Sequence, residues 1–273
     1  MALVPFPGPQ SGALQPDLED DDDDGAAGKM SFLEHLDELR KRIVSSLLGV
    51  CVGVLASFAF INQIVNFLLA PTRAVLPAGS RMIYTQPGEA FGLYIQVSLI
   101  MGVVIAAPWI LYQVWLFIAP GLYANEKRLA IPFVAFGTIG FIAGTLVNHY
   151  ITFPFMMKFF ASFNTPDLLF MPRLDDVFDL YTKMVLGMAI VFQMPTVVFF
   201  LAKLGLITAG FLWRSFQYAF LLIFIAAAVI TPTGDMVTQT IFAAPMVALY
   251  LLSIGIAWVF GRVTPVQPMN RDE

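Results

Sequence analysis

Apolar residues fall into six long runs along the chain, separated by shorter and more polar segments. The runs cover approximately residues 43–61, 90–118, 132–153, 180–203, 215–230 and 237–260. A helix rises 1.5 Å per residue, so about 20 apolar residues suffice to cross ~30 Å of hydrocarbon. The pattern therefore predicts an all-α integral membrane protein with six transmembrane helices.

The fifth run is the shortest of the six. Its roughly 16 residues would span only about 24 Å as a helix. The residues Thr231-Pro232-Thr233-Gly234-Asp235 follow it directly and are typical of a tight turn. We therefore expect a short hairpin between the fifth and sixth helices, with a locally thinned bilayer or a non-cylindrical protein around it.

Two connecting segments, residues 62–89 and 154–179, are long and contain apolar stretches as well as polar ones. Such segments are typical of short amphipathic helices that lie at a membrane surface. We expect one in each segment, over the outer mouth of the fold.

The basic residues predict the orientation of the helices in the membrane. Ten lie on the side of the N-terminus, namely Lys29, Arg40, Lys41, Arg42, Lys127, Arg128, Lys203, Arg214, Arg262 and Arg271. Five lie on the opposite side, namely Arg73, Arg81, Lys158, Arg173 and Lys183. Because basic loops are retained in the cytoplasm, both termini are predicted to be cytoplasmic.

The composition supports a membrane domain with a distinct N-terminal tail. Only 12% of the residues are charged and 58% are hydrophobic. Residues 1–28 carry seven acids and no base, which predicts a disordered acidic cytoplasmic tail rather than a secretory signal. The six-helix domain is expected over residues 29–262 and a C-terminal tail over 263–273. The single cysteine, Cys51, is predicted to be a small buried apolar residue.

The sequence contains no pattern that predicts an enzyme, a metal site or a cofactor. It lacks a nucleotide-binding glycine loop, a zinc-protease His-Glu-x-x-His and a Gly-x-Ser-x-Gly elbow. The middles of the six helices contain no Asp, Glu, Lys or Arg. Their polar residues are mainly the amides Gln96, Gln113, Gln193, Gln217 and Gln239. These amides form either interhelical hydrogen bonds or a polar patch within a groove.

Charged residues cluster instead in residues 31–42, immediately before the first apolar run. The stripe Phe32, Leu36, Leu39 and Ile43 predicts an amphipathic helix that continues into the membrane. Ser31 and Glu34 have the spacing of a capping box. Asp37–Lys41 and Glu38–Arg42 are i,i+4 pairs, worth a few tenths of a kcal/mol each. Spacing alone favours this stabilising role for the charges.

Several separated motifs together resemble the TatC family, the core membrane subunit of the twin-arginine protein translocase. They are His35-Leu36-x-Glu38-Leu39-Arg40-x-Arg42, the segment from Ala107-Pro108 through Trp115 and Phe117-Ile118-Ala119-Pro120-Gly121-Leu122-Tyr123, the pair Glu126-x-Arg128, and Thr231-Pro232 with Asp235 and Gln239. Pro71, after the expected first loop helix, also fits. The resemblance covers about residues 30–260.

The resemblance implies a receptor that binds the Arg-Arg signal peptides of folded precursor proteins at the cytoplasmic face of a bacterial inner membrane. The implied signal-peptide residues are Glu38, Arg40, Phe117, Glu126 and Arg128. Guanidinium groups prefer planar, bidentate carboxylate partners, which agrees with two glutamates in this set. The implied partners are the single-span subunits TatA and TatB, and the complex is expected to be oligomeric and driven by the proton-motive force.

The resemblance also implies roles for residues within the membrane. Gln193, Thr231, Asp235 and Gln239 are implied to line a groove or contact partners, and Pro71, Pro108 and Pro120 to be structural. Some family members carry a glutamate where this chain has Gln193. A neutral amide is less costly to bury than a carboxylate and weakens the case for a charged site at depth.

Two other classes of function remain open from the residues themselves. A small-solute transporter built from the fourth to sixth helices is the main alternative, and Gln193 with the short hairpin would support it. An intramembrane enzyme is disfavoured because no nucleophile and base stand together in the sequence.

Overall fold

The computed structural model of the protein describes residues 32–76, 82–119, 127–165, 167, 169–231 and 235–261. Within these ranges the regular structure is helical, and one isolated backbone pairing joins Ile83 to Arg173. Five helical stretches in the described part are long and apolar enough to cross a membrane, and Phe216–Ile230 is a shorter apolar helix. The prediction of an all-α protein with six apolar membrane helices is confirmed.

The described residues form ten α-helices. They are α1 Phe32–Phe58, α2 Ile61–Arg73, α3 Glu89–Ile118, α4 Ala130–Val147, α5 Phe153–Ala161, α6 Leu174–Val191, α7 Met194–Lys203, α8 Ala209–Arg214, α9 Phe216–Ile230 and α10 Met236–Phe260. Spans 1 to 6 are α1, α3, α4 with α5, α6 with α7, α9, and α10. We call the end of the bundle where α1 begins and α3 ends the basic end, and the opposite end, where α2 lies, the loop end.

The fifth span is short, as its apolar run predicts. It has 15 residues, whereas the sixth has 25, so only the first arm of the hairpin is short. At 1.5 Å per residue, 15 residues extend about 22 Å, less than the ~30 Å of an average hydrocarbon layer.

The first long loop contains the expected helix, α2, but Pro71 does not follow it. Pro71 lies buried inside α2, which ends at Arg73. The expected boundary is wrong because a proline in the last turn removes only one backbone N–H donor. The helical hydrogen bonds continue after it. The backbone N–H of Ala74 donates to the carbonyl of Ala70.

In the second long loop the helical part continues from span 3. A π-turn at Asn148–Thr152 joins α4 to α5, and residues 169–173 then run without helix to α6. A π-turn inserts one residue into the helical ladder and turns the following side chains to a new face. His149 in this turn lies stacked on Phe67 of α2, with ring centroids 4.0 Å apart.

Span 1 packs along span 2 in an antiparallel seam. The Ser57 hydroxyl donates to the carbonyl of Ser98 at 3.0 Å, and the Trp109 indole N–H donates to the carbonyl of Ser45 at 3.0 Å. Between these bonds Gly53 and Gly102 face each other, and a Cβ on Gly53 would overlap with the Gly102 carbonyl. The two glycines therefore permit a close backbone approach, as small residues do in membrane helix pairs.

Because span 1 contacts the rest of the protein mainly through span 2, most of its circumference faces outward. Cys51 is exposed on this outer surface, so the prediction that it is buried is wrong. Leu36 and Ile43 of the expected apolar stripe are also exposed.

The main hydrophobic core lies between spans 2 to 6 and extends to α2 at the loop end. Its fully buried large side chains include Phe153, Met156, Met184, Met188 and Phe242. A second cluster, Trp115 with Phe133 and Phe200, joins spans 2, 3 and 4 towards the basic end. The two clusters fix the positions of spans 2 to 4 at both membrane faces.

At the loop end, the Glu89 carboxylate joins the starts of two spans. It accepts hydrogen bonds from the backbone N–H groups of Thr85 at 2.8 Å, Gln86 at 3.1 Å and Asp175 at 3.3 Å. Its Oε2 also lies 3.7 Å from an Arg173 guanidinium nitrogen. We call Glu89 with these partners the loop clamp. It holds the N-terminal turns of α3 and α6 together, where helix dipoles favour a negative charge.

Candidate functional site

Three side chains at the basic end form a polar network between spans 1 and 2. Arg42 forms an ion pair with Glu38, and its Nε donates to Glu38 Oε1 at 2.6 Å. Arg42 Nη1 also donates to Gln113 Oε1 of span 2 at 3.3 Å. The Glu38 side chain is 17% exposed, so its carboxylate is partly shielded yet still accessible from outside. Of the two predicted i,i+4 pairs, only Glu38–Arg42 forms among the described residues.

One turn further out, an aromatic contact joins the same two spans. The imidazole of His35 stacks on the ring of Phe117 with centroids 4.5 Å apart and an interplanar angle of 27°. Phe117 is the penultimate residue of α3, so this contact fixes the end of span 2 against the start of span 1. Glu38 and Phe117, both expected at the site, are therefore brought together at this end of the bundle.

The other expected signal-peptide residues are placed less fully. Arg40 is exposed on the side of α1 that turns away from Gln113, and Arg128 is exposed in the 3₁₀ turn Lys127–Leu129 that opens span 3. Glu126 and Pro120 lie outside the described residues, as do the capping serine Ser31 and both predicted tails.

An apolar groove lies beside the network, between spans 2 and 3. Its volume is about 510 Å³. It is lined by Tyr112, Ala130, Ile131, Val134, Ala135, Thr138 and Ile139. We call it the span 2–3 groove. Tyr112 precedes Phe117 by five residues on α3, so the groove opens roughly 8 Å along the helix from the aromatic contact.

Gln193 lies at the break between α6 and α7, and its amide is occupied within the protein. Its Nε2 donates to the carbonyl of Gly137 in span 3 at 3.1 Å and to that of Ala189 at 3.4 Å. The backbone N–H of Gln193 turns to the carbonyl of Ile190, which leaves the Ala189 carbonyl without its usual helical donor. The side chain therefore repairs the break and ties span 4 to span 3.

The three hairpin residues expected to contact partners also have intramolecular roles. Thr231 is 2% exposed and donates to the carbonyl of Ala227 at 2.8 Å. Asp235 caps α10 by accepting the backbone N–H of Thr238 at 2.8 Å. Gln239 of span 6 donates to the carbonyl of Phe224 in span 5 at 2.8 Å. The Gln239 bond joins the two arms of the hairpin, and the other two bonds stabilise the helix ends beside the turn.

Comparison with known proteins identifies the family of the chain. Residues 34–245 match the family model described as TatC, the Sec-independent protein translocase protein. The chain belongs to the TatC family.

Relatives and solved structures agree with this assignment. The chain is 40% identical to the TatC protein of Koribacter versatilis over 247 residues, which cover 89% of this chain and 88% of the relative. It is 39% identical to the TatC protein of Helicobacter pylori strain J99 over 223 residues, covering 82% and 87%. A crystal structure of the twin-arginine translocase receptor TatC matches with a TM-score of 0.72 at 34% identity, covering 82% of this chain and 97% of that one.

Membership of the TatC family decides between the classes of function that the residues left open. TatC proteins are components of a protein translocase and not enzymes, which confirms the prediction of a non-enzymatic, multi-pass membrane protein. The family also favours a translocase component over a small-solute transporter. The groups of His, Cys, Asp and Glu within the described residues contain no set of three that could hold a metal ion.

Four of the five amides expected within the membrane of this TatC protein form hydrogen bonds between spans. Besides Gln113, Gln193 and Gln239, the amide of Gln96 donates to Asp179 Oδ1 of span 4 at 3.1 Å. Gln217 is exposed on span 5. The interhelical role therefore holds for all the amides that face another span.

The sequence did not single out three residues that the structure places at key contacts. Trp109 and Gly102 build the seam between spans 1 and 2, and Glu89 forms the loop clamp. The small-residue spacing Gly49–Gly53 on α1 is a signal that could have pointed to the seam. Glu89 offers no such signal, because most of its partners are backbone N–H groups.

Proposed function

We propose that this chain is the receptor and assembly scaffold of the twin-arginine translocase in a bacterial inner membrane. In this proposal both termini are cytoplasmic, and the basic end binds the Arg-Arg signal peptides of folded precursors. The family membership and the similarity to a solved twin-arginine translocase receptor support it. The distribution of basic residues supports the orientation.

The observation that carries the proposal is the state of the Glu38 carboxylate. Arg42 engages Oε1, and no described residue donates a hydrogen bond to Oε2. Arg42 and Gln113 thus hold the carboxylate in place and leave one oxygen to accept an incoming guanidinium. Charge-assisted bonds of this kind are shorter and stronger than neutral ones. A half-buried carboxylate also suffers less screening by salt than a fully exposed one.

A second carboxylate is needed to distinguish an arginine pair from a single arginine. Glu126 is proposed for this role, with Arg40, Phe117 and Arg128 completing the receptor. Phe117 and Arg128 border the segment that carries Glu126, and both lie at the basic end. An isolated exposed ion pair contributes about 1 kcal/mol or less, so engagement of both arginines is required for useful affinity.

The span 2–3 groove supplies a place for the apolar stretch of a signal peptide. Its lining is apolar apart from the hydroxyls of Tyr112 and Thr138, and Tyr112 lies on the same helix as Phe117, five residues earlier. A signal peptide bound by its arginines at Glu38 and Glu126 can continue directly into this groove. Apolar burial then adds about 25 cal/mol per Å² to the ion pairs.

The scaffold part of the proposal concerns the single-span subunits TatA and TatB. An apolar groove of about 360 Å³ between spans 3, 4 and 6 begins next to Gln193 and is lined by Phe136, Phe192, Phe199, Leu252 and Phe260, among others. It supports contact with a partner helix near Gln193. Thr231, Asp235 and Gln239 are proposed to shape the hairpin that such partners meet, and the assembled complex is proposed to use the proton-motive force.

Site-specific crosslinking tests the receptor role. A photo-crosslinking amino acid at position 126 should capture a twin-arginine precursor, and capture should be lost when its Arg-Arg becomes Lys-Lys. Lysine offers a point charge in place of a bidentate fork. The same probe at Phe163, near the loop end, is the control position and should capture nothing. Equal capture of both precursors would refute the proposal, and uptake of a solute by the purified protein in liposomes would favour a transporter instead.

Two substitutions separate receptor contacts from structural ones. Glu126→Ala should abolish export of twin-arginine precursors while leaving the protein in the membrane, and normal export would remove Glu126 from the receptor. Glu38→Gln should weaken precursor binding about tenfold or more, since hydrogen bonds to charged groups contribute about 1.5–3 kcal/mol. Asp37→Asn is the matched control, because Asp37 is exposed on a different face of α1. Equal losses in both variants would show that Glu38 acts only through the general charge of the helix.

A further inference from the structure

Two neighbouring cavities lie on the outer surface of span 1 and share two lining residues. The first, of about 420 Å³, is lined by Asp37, Arg40, Lys41, Val44, Ser45 and Leu48. The second, of about 470 Å³, is lined by Ser45, Leu48, Gly49, Val52, Gly53, Ala56, Ile105, Ala106 and Trp109. Ser45 and Leu48 belong to both. We call the two adjoining cavities together the span 1–2 channel. Its lining is charged at the basic end and mainly apolar along the rest of its length.

We propose that the span 1–2 channel binds one anionic phospholipid, with its phosphate at Arg40 and Lys41 and an acyl chain along Leu48, Val52 and Ala56. The site shares Arg40 with the proposed receptor, whose network of Glu38, Arg42 and Gln113 lies on the neighbouring face of α1. It does not depend on that receptor role.

The charges of the channel fit a phosphodiester. Arg42 is already paired with Glu38, whereas Arg40 and Lys41 form no ion pair among the described residues, and both are exposed in the channel. Asp37 at the rim is the one acid in the lining, so the head of the channel carries two bases against one acid. Basic side chains at a membrane surface attract anionic lipids by about a factor of five each.

The shape of the channel fits a lipid in one leaflet. Arg40 and Ala56 are sixteen residues apart on a continuous helix, which corresponds to about 24 Å. A leaflet with its headgroup region is roughly 20 Å thick. Gly49 lies directly against the Trp109 ring and Gly53 against the Gly102 backbone, so span 2 closes this side of the channel. The Trp109 ring, held by its bond to Ser45, forms the wall there. Exposed Val52 and Leu48 supply the apolar floor.

The test is native mass spectrometry of the full-length protein with added dioleoylphosphatidylglycerol or dioleoylphosphatidylcholine, which share their acyl chains. Wild-type protein should retain the anionic lipid several-fold more than the zwitterionic one. Lys41→Gln should reduce that preference about fivefold, and Val52→Phe, which fills the channel, should reduce retention of both lipids. Arg214→Gln removes an equally exposed base at the basic end, on α8 and outside the channel, and should change neither. Lys41 is chosen because Arg40 is also a proposed signal-peptide residue.

A photoactivatable phosphatidylglycerol with a diazirine in its acyl chain locates the site. Labelled peptides should map to residues 44–56 of α1, and Val52→Phe should suppress that label. Equal retention of the two lipids by wild-type protein, equal effects of Lys41→Gln and Arg214→Gln, or labelling confined to other spans would each overturn the proposal. Lys41 and Val52 are both exposed, so their substitution leaves the seam between spans 1 and 2 intact.

Discussion

His35 and Phe117 lie 82 positions apart in the sequence, yet their rings stack with centroids 4.5 Å apart. We predict that this contact contributes about 1 kcal/mol of coupling to the free energy of unfolding, as aromatic pairs generally do. A double-mutant cycle of His35→Ala and Phe117→Leu, followed by denaturant titration in micelles, measures it. The control cycle pairs His35→Ala with Phe136→Leu, since Phe136 faces a different groove, and should show no coupling. A value near zero in both cycles would mean that the stacking adds nothing to the joint between spans 1 and 2.

The close approach of Gly53 and Gly102 predicts a strong position dependence along one helix. Gly102→Ala should destabilise the protein by about 1–3 kcal/mol, because the new methyl group would overlap with Val54 and force the spans apart. Gly92→Ala on the same helix meets no atom within 4 Å and should be neutral or slightly stabilising, since alanine is the better helix former. Free energies of unfolding measured side by side check both. Similar effects of the two substitutions would contradict the seam described here.

The loop clamp predicts a large effect from a small change. Glu89→Gln should destabilise the protein by about 2 kcal/mol, because the neutral amide binds the three backbone N–H groups less strongly and loses Arg173. Hydrogen exchange at Thr85, Gln86 and Asp175 should speed up together. Asp176→Asn, an exposed change in the first turn of α6, serves as the control and should cost no more than the dipole interaction of about 0.5 kcal/mol. Unchanged exchange at Asp175 would show that Glu89 does not join the two loops.

Gln193 offers a test of whether its amide acts as a structural tie. Gln193→Met keeps the length of the side chain and should cost about 1–2 kcal/mol, through loss of the bonds to Gly137 and Ala189. Gln193→Glu should cost more, since an ionised carboxylate cannot donate and faces two carbonyl oxygens. Gln217→Met, at an exposed amide of span 5, should be neutral. If Gln193→Met is as stable as wild type, the amide is not a structural tie, and its role as a groove residue is favoured instead.

The cap at Asp235 separates folding from partner contact in the hairpin. Asp235→Ala should destabilise α10 by about 1 kcal/mol through loss of the bond from Thr238, whereas Asp235→Asn can still cap the helix. Export of a twin-arginine precursor and the free energy of unfolding are measured for both variants. If export follows stability, Asp235 acts as a cap. If Asp235→Asn is stable but inactive, its charge meets a partner, as the family resemblance implies.

The membrane helices could be predicted from the sequence because a long apolar run forms a helix in the bilayer, whichever helices lie beside it. The sequence also predicted the pair Glu38–Arg42, whose partners lie one helical turn apart. Contacts between spans could not be predicted from the sequence, because they depend on the register of two packed helices. Arg42 meets Gln113 only because the glycines of the seam bring the two backbones together.

Errors in the sequence reading have a common physical origin. Cys51 is exposed because span 1 has one main neighbour, and an apolar run looks the same whether it faces protein or lipid. Glu89 was missed because most of its partners are backbone N–H groups, which nearly every residue possesses. A side chain that binds backbone groups needs no complementary residue type elsewhere in the sequence. The sequence therefore carries no signal for such a contact.

Span 2 connects the two ends of the molecule as one continuous helix. It has 30 residues, about 45 Å of helix, and is helical throughout despite Pro108 within it. Its first residue, Glu89, lies in the loop clamp, and its last turn carries Phe117, which stacks on His35. A tilt of this helix at the basic end would displace Glu89 and the clamp at the loop end. In the proposed receptor, the effect of a signal peptide bound at the basic end would therefore reach the loop end through this one helix, without any charge crossing the membrane.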